Sequence, residues 1–303
     1  MNDTNDQSRS IILAAFMSFI LPGFGQLYNG RWNRALCILL IFCASFMAFM
    51  GWATMAVPAK YAFYVFAASL GLCGLIWLAS IIDAVLLSRK NQDYELRPWQ
   101  TISVYIVVVL FAYIAVFKGV GGYTRTHIME PFRIPSGSMK PGILQGDFIF
   151  ADKQVNCKGC KRALRHGDVA LFLYPKNRTQ VFIKRIIGLP GDKIEVQGQS
   201  VFRNGKKLTT AEATLENGFT RVTERARKGA YDVQWSKNRK GRKSYEVPSG
   251  QVFVLGDNRN HSQDSRRYGN VPTSDVIGIA HHIWLSLDRN RDMRWSRLGM
   301  LIK

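Results

Sequence analysis

The chain has 303 residues, of which 47% are hydrophobic, and its formal net charge is +20. This length accommodates about two domains, and in a soluble protein the charge would suggest a nucleic-acid partner. The hydrophobic residues are concentrated before residue 120, however, in four runs without a charged residue: 10–30, 35–57, 61–82 and 101–117. The composition therefore excludes an ordinary soluble globular protein.

These four runs predict a membrane domain over residues 1–120 with three to four hydrophobic helices. A spanning helix needs roughly 20 apolar residues, which the last three runs provide. The first run contains Pro22, Gly23 and Gly25, which interrupt a regular helix, so this run either spans, re-enters or lies at the membrane interface. The leader before it carries Asp3 and Asp6, unlike the basic start of a signal peptide, so we expect no cleavage.

The loop charges predict the orientation, because short cytoplasmic loops keep an excess of Lys and Arg. The basic residues lie after the first run (Arg31, Arg34) and between the third and fourth (Arg89, Lys90, Arg97), whereas Lys60 stands alone between the second and third. The last helix therefore runs outward. We expect a multi-pass protein of the cell inner membrane, with everything after residue 118 on the extracytoplasmic, periplasmic side. Nucleic acid is not expected as a partner there.

Residues 121–303 predict a mainly-β extracytoplasmic domain. Short apolar runs rich in β-branched and aromatic residues alternate with turn signals; they are DFIFADK, GDVALFLY, VFIKRIIG, DKIEVQ, SVFRNGKKL, GQVFVLGD and IGIAHHIWLSL. The Asn-Gly pair in RNGKK is typical of a two-residue hairpin turn. Residues 209–246 have the weakest pattern, which suggests a smaller inserted β subdomain.

Basic residues cluster in two segments of this domain. Residues 219–245 contain nine Lys or Arg, and residues 289–303 contain five. Such clusters form solvated faces or are attracted to the anionic headgroups of a lipid bilayer, at about 1 kcal/mol per basic residue near the surface. Both interpretations stay open.

The cysteines fall into two groups. Cys37, Cys43 and Cys73 lie in apolar runs and are expected to pack there. Cys157 and Cys160 form a CxxC pair, for which we favour a local disulfide over a redox motif or half of a zinc site. No second pair with suitable spacing completes a tetrahedral site. We expect neither a metal nor an organic cofactor.

A nucleophilic serine requires a base that removes its proton. The chain has five histidines but no GxSxG motif around a serine. Counting histidines alone does not exclude a Ser-His-Asp triad. Lys184 is the other candidate, because Val181, Phe182 and Ile183 precede it and two isoleucines follow Arg185. Burial on an apolar face would lower the pKa of this amine and leave it neutral. An exposed lysine on an edge strand is the ordinary alternative.

Five segments occur in one order along the chain: EPFRIPSGSMKP, GDFIFADK, HGDVALF, IKRIIGLPGD and LGDNRNHSQDSRRYG. Together they resemble the motif set of bacterial type I signal peptidases, also called signal peptidase I or leader peptidase. These are membrane-anchored serine endopeptidases with a Ser–Lys dyad. The resemblance implies that the β domain is a protease that removes signal peptides from exported preproteins through an acyl-enzyme.

The resemblance also implies roles for individual residues. Ser138 matches the nucleophile and Lys184 the general base, while the Ser136 hydroxyl and the Ser138 N–H match the oxyanion hole. Ser262 matches a hydroxyl that orients the lysine, Asp264 and Arg266 an ion pair that supports its loop, and residues 257–259 part of the same loop. The residues that match the substrate pocket are Ile134, Pro135, Met139, Ile143, Phe182 and Ile183. Gly142 departs from the family pattern, which usually has Thr there.

Three alternatives remain. A specialised peptidase that matures conjugation or pilus subunits shares the dyad. A self-cleaving repressor also uses Ser and Lys, but it is soluble and contains a helix-turn-helix, neither of which is visible here. A non-enzymatic membrane scaffold would depend on residues 11–100 instead.

Overall fold

The computed structural model describes residues 9–46, 59–90, 98–155, 159–160, 162–214, 219–225, 229–236 and 241–302. The chain divides into two compact units, Met1–Thr126 and His127–Lys303, whereas the sequence analysis placed the boundary after residue 120.

The first unit is helical. Its helices are α1 (Ile11–Ile20), α2 (Phe24–Tyr28), α3 (Trp32–Ser45), α4 (Ala59–Lys90) and α5 (Ile102–Tyr113), the last followed by π-helical segments Ile114–Gly121 and Thr124–Ile128. Among the described residues, two helical stretches, Tyr64–Lys90 and Ile102–Ile128, are long and apolar enough to cross a membrane, which confirms apolar helices at the third and fourth runs. The first run forms two short helices, and much of the second run lies outside the described residues.

The break in the first run is held by close packing and polar contacts. Gly25 lies so near α1 and α4 that a Cβ there would be 2.3 Å from the Ala14 carbonyl oxygen. The neighbouring Gln26 donates from Nε2 to the Ser80 carbonyl at 2.8 Å and to Asp83 Oδ2 at 2.9 Å. Asp83 in turn pairs with Arg34 at 2.7 Å. Buried polar groups in an apolar unit need such partners, so this turn has a defined structure.

The second unit is mainly β. Its strands are β1 (Met129–Arg133), β2 (Asp147–Asp152), β3 (Val169–Tyr174), β4 (Asn177–Gly188), β5 (Lys193–Gln197), β6 (Ser200–Arg203), β7 (Lys206–Lys207), β8 (Thr209–Thr214), β9 (Phe219–Arg225), β10 (Ala230–Ser236), β11 (Arg242–Glu246), β12 (Gln251–Leu255), β13 (Val271–Pro272) and β14 (Val276–Ser286). A short helix, α6 (Ser265–Tyr268), precedes β13. Each of the seven predicted segments contains a strand, so the mainly-β prediction is confirmed.

These strands form three antiparallel sheets. The largest has seven strands in the order β1-β2-β14-β3-β4-β12-β13, and a four-stranded sheet has the order β11-β5-β6-β7. Asn204 and Gly205 form the turn between β6 and β7 with φ of 52° and 76°, which confirms the predicted hairpin. Strands β10-β9-β8 form the third sheet, which lies within residues 209–246. That this segment is an insertion stays a prediction.

One core cluster positions the loop that follows β1. Ile134, Met139 and Ile143 from this loop are almost fully buried against side chains of β2, β3, β4 and β14. Since protein interiors are close-packed, these three anchors fix the backbone on both sides of Ser138. The sheet therefore acts as the platform for the candidate site.

Candidate active site

The loop between β1 and β2 carries the motif RIPSGSMKP. Its two ends are joined by hydrogen bonds from the Ile134 N–H to the Asp147 carbonyl at 2.8 Å and from the Gly146 N–H to the Ile134 carbonyl at 2.9 Å. Met139, directly after Ser138, is fully buried. The loop is therefore anchored at its ends and beside Ser138, whose own side chain is mostly buried.

Lys184 lies on β4 and points at this loop. Its Nζ is 2.8 Å from Ser138 Oγ and donates a second hydrogen bond to the Ile183 carbonyl at 2.8 Å. Only 4% of the residue is exposed. The two predicted reactive side chains, which are 46 residues apart in sequence, are thus in direct contact.

The surroundings of Lys184 favour its neutral form. Burial lowers the pKa of the amine to about 8, even though the carboxylates of Asp264 and Asp257 act in the opposite direction. At pH 7 a lysine with this pKa is neutral in about a tenth of the molecules, compared with roughly 0.03% for an unperturbed one. A neutral amine is therefore available next to Ser138 at near-neutral pH.

The loop between β12 and α6 lies behind these two residues. Asp264 accepts hydrogen bonds from the Gly256 N–H at 3.0 Å and from Arg266 Nη2 at 2.7 Å. Burial would raise the pKa of the Asp264 carboxyl, but Arg266 and the Gly256 N–H outweigh it and lower this pKa. The ionised Asp264–Arg266 pair thus joins the end of this loop to Gly256, the residue that follows β12.

This arrangement lies in a part of the chain that matches a known protein family. The family described as "Signal peptidase, peptidase S26" matches residues 100–285, which is more than half of the chain. The chain belongs to the S26 family of signal peptidases. The S26 match contains all the residues described in this site so far.

Individual relatives agree with the S26 assignment. Signal peptidase I of Buchnera aphidicola (subsp. Acyrthosiphon pisum) is 27% identical over 285 residues, covering 73% of this chain and 90% of the relative. Signal peptidase I of Rickettsia conorii is 35% identical over 196 residues, covering 54% of this chain and 73% of the relative. A crystal structure of a signal peptidase I from Enterococcus faecalis V583 is 28% identical and covers 38% of this chain and 95% of that one, with a TM-score of 0.26. At that TM-score the match says nothing about the fold.

Two hydroxyls predicted from the S26 resemblance are near the dyad. Ser136 Oγ lies 3.2 Å from Ser138 Oγ on the same loop, and Ser136 is exposed. The Ser262 hydroxyl is buried and, within the described residues, makes no hydrogen bond to Lys184; it faces the Asp264 carboxylate instead, whose pKa it helps to lower. The roles of both serines stay predictions.

The predicted pocket residues do not share one environment. Ile134, Met139, Ile143 and Ile183 belong to a single core cluster. The Phe182 ring stacks on Tyr174, with 4.3 Å between ring centroids; Pro135 is exposed. Contact of these residues with a substrate remains a prediction for this S26 member.

Two residues behind the nucleophile have roles that sequence reasoning missed. The Asn258 N–H donates to the Ser138 carbonyl at 3.0 Å, and its Nδ2 donates to the Gly137 carbonyl at 3.0 Å. A Cβ on Gly256 would lie 2.2 Å from Ser262 Oγ and 2.6 Å from the Ser138 carbonyl oxygen. Only glycine fits this close approach. Both residues belong to the segment LGDNR, and the sequence alone indicates only that Asn258 is part of a supporting loop.

The cysteine prediction is tested only in part. Cys160 is disulfide-bonded, but Cys157 lies outside the described residues, so the predicted pairing of the two stays a prediction. Cys37, Cys43 and Cys73 are free thiols. Within the described ranges, no group of three or more His, Cys, Asp or Glu side chains could hold a metal ion.

Proposed function

We propose that this protein removes signal peptides from exported preproteins with Ser138 as the nucleophile and Lys184 as its general base. The observation that carries the proposal is the 2.8 Å contact between Lys184 Nζ and Ser138 Oγ in a buried setting. The S26 family and its signal peptidase I relatives support the activity as a serine peptidase.

The reaction proceeds in two halves. The neutral Lys184 amine takes the Ser138 hydroxyl proton as Oγ attacks the carbonyl carbon of the scissile peptide bond. The tetrahedral intermediate collapses, the new N-terminus of the mature protein leaves with the proton from Lys184, and the signal peptide stays as an ester on Ser138. Water then attacks this ester, with Lys184 again as the base, and restores the serine.

The negative charge on the intermediate needs donors. The Ser138 N–H and the Ser136 hydroxyl are our candidates, supported by the position of Ser136 on the nucleophile loop, 3.2 Å from Ser138 Oγ. Removing one such donor typically lowers kcat by about 10²–10³-fold. Asn258 contributes indirectly, because its two hydrogen bonds fix the peptide units on either side of the Ser138 Cα, and the first of these units includes the Ser138 N–H.

The substrate and the membrane placement follow from the same proposal. Signal peptides end in small residues before their cleavage site, and we propose that these residues bind beside the dyad, next to Pro135 on the loop and Ile183 on β4. The loop charges support an extracytoplasmic, multi-pass arrangement in the inner membrane. Described basic residues that remain exposed, such as Arg221, Arg225 and Arg289, are candidates for contact with anionic lipid headgroups.

The first test replaces Ser138 or Lys184 with alanine in the full-length protein and follows cleavage of a labelled preprotein. We expect both variants to lose at least about 10³-fold in cleavage rate, because each removes an essential half of the dyad. Ser249→Ala and Lys193→Ala are matched controls, since both side chains are exposed and lie outside the site. Complete processing by either dyad variant would show that the mechanism is wrong.

A further inference from the structure

Glu224 is a buried carboxylate in the three-stranded sheet. Along β9 the inward positions are Val222 and Glu224, and both are fully buried. The facing strand β10 contributes Tyr231, Val233 and Trp235 to the same core cluster. A carboxylate in such a place is costly unless it is paired and hydrogen-bonded. Its partners therefore indicate why it is there.

The partner charge of Glu224 is Arg259, whose side chain is also fully buried. Arg259 Nη1 donates to Oε1 at 2.5 Å, and Nη2 donates to Oε2. Tyr231 lies opposite Glu224 in the β9–β10 register and donates its hydroxyl to Oε2 at 2.9 Å. Burial and the nearby carboxylate raise the pKa of Tyr231 well above its usual value, so its hydroxyl remains a donor.

Arg259 belongs to the loop that holds the nucleophile. Strand β10 pairs with this loop, because the Gln234 N–H donates to the Asp257 carbonyl and the Arg259 N–H donates to the Gln234 carbonyl, each at 2.9 Å. Asn258, between these two loop residues, donates to the carbonyls of Gly137 and Ser138. The position of the Ser138 backbone thus depends on a loop that is anchored in the three-stranded sheet.

The same sheet also contacts the strand that carries the base. The Arg185 guanidinium carbon lies 3.8 Å from the Tyr231 ring centroid, and Arg185 pairs with Asp257 at 2.6 Å. Arg185 directly follows Lys184 on β4. Both the nucleophile and the base are therefore connected to Glu224, one through Arg259 and the other through Tyr231.

We propose that Glu224 is a positioning residue that fixes the distance between Ser138 and Lys184 by anchoring Arg259 and Tyr231. This inference rests on the proposed function, because it assumes the Ser138–Lys184 dyad. Glu224 contacts neither reactive atom. Without its carboxylate, Arg259 would keep its charge, since a guanidinium is not deprotonated in proteins. The charged side chain would then move toward water and displace the loop behind Ser138.

The test is Glu224→Gln in the full-length protein, assayed on a labelled preprotein. A displacement of about 1 Å costs about 100-fold in rate, so we expect a loss of about that size in kcat, with KM within about threefold. We also expect the pKa that governs kcat/KM to rise above about 8, because a displaced loop admits water to Lys184. The charged groups that surround this amine, Asp257 and Asp264, and their partners Arg185 and Arg266 are unchanged in this variant.

Glu212→Gln on β8 is the matched control. Glu212 is exposed and only weakly paired with Lys207, at 3.4 Å, so its replacement should leave kcat, KM and the pH profile unchanged. In a double variant with Arg259→Gln, the loss should not exceed that of the worse single variant, since paired residues are not additive.

Tyr231→Phe covers the case in which Glu224→Gln does not fold. It keeps the ring beside Arg185 and removes one hydrogen bond to Glu224, and we expect a smaller loss of kcat, about fivefold. Wild-type kcat and pH profile in a folded Glu224→Gln variant, or in Tyr231→Phe if the former does not fold, would overturn the inference. An active Ser138→Ala variant would instead refute the proposed function, so the two failures are distinguishable.

Discussion

Among single residues, the buried amine of Lys184 gives the most specific prediction, which is that the cleavage rate depends on pH. The base must be neutral, and the neutral fraction rises through the pKa of about 8 that burial imposes. We therefore expect kcat/KM to rise about tenfold between pH 7 and pH 9 and then to level off. The measurement is a pH–rate profile with a labelled preprotein. A flat profile from about pH 6 to 10, or one that still climbs above pH 10, would contradict a buried lysine base.

The same shift has a consequence for stability. The unfolded chain binds more protons than the folded one between pH 8 and the ordinary lysine value of 10.5, so the contribution of Lys184 to stability rises with pH across that window. At pH 7 the buried amine opposes folding by about 3 kcal/mol, from about 1.4 kcal/mol per pKa unit.

At the scale of elements, the C-terminal segment after β14, residues 287–302, supports the loop between β1 and β2 that carries Ser138. Arg297 pairs with the fully buried Asp147 at 2.6 Å and donates from Nη2 to the Gly142 carbonyl at 2.9 Å. Arg294 donates to the Gln145 carbonyl at 2.6 Å. This segment lies beyond the part of the chain that matches the S26 family. It contacts the loop at Gly142, where the sequence departs from the family pattern.

Arg297→Gln and Arg297→Lys test this support. The glutamine variant leaves Asp147 buried without its cation, which typically costs on the order of 3 kcal/mol or more in the free energy of unfolding. Lysine keeps the charge but lacks the planar fork that reaches two acceptors, so we expect a smaller loss of stability with a clear loss of kcat. Thermal unfolding and preprotein cleavage measure the two effects, with exposed Lys193→Gln as the control. Unchanged kcat in both Arg297 variants would argue against a role for the segment.

Some of these elements could be predicted from the sequence, and others could not. The central strands were predictable because β2, β3, β14 and the second half of β4 consist mainly of apolar, β-branched and aromatic residues between turn signals. Strand β9 was missed because Glu224 occupies one of its inward positions, and a buried carboxylate looks like a solvated one in sequence. Arg294 and Arg297 were grouped with the basic surface for the same reason. The contact between Ser138 and Lys184 depends on the tertiary fold, so only the resemblance to signal peptidases predicted it.

At the scale of the whole molecule, the chain combines a helical unit with a mainly-β unit that contains the dyad. The helical unit contains a specific polar cluster, in which Gln26 bonds to the Ser80 carbonyl and to the partly buried Asp83. The helix Ile102–Ile128 leads directly into β1, so the covalent chain connects one unit to the loop that carries Ser138. If this helix spans a membrane, as we propose, the covalent connection keeps Ser138 near the membrane surface.

The last prediction concerns the orientation of the whole chain in the membrane. Arg89, Lys90 and Arg97 should keep their loop in the cytoplasm, so the helix that follows exports the β unit. Alkaline phosphatase, which needs disulfides that form only outside the cytoplasm, should be active when fused after Lys303 and inactive when fused after residue 98. Green fluorescent protein at the same two positions should give the reverse pattern. Replacing the three basic residues with asparagine should lower the phosphatase activity of the Lys303 fusion, because the charge bias that sets the orientation is then removed. Phosphatase activity after residue 98, with none after Lys303, would place the dyad on the cytoplasmic side, where it could not meet the cleavage sites of exported proteins.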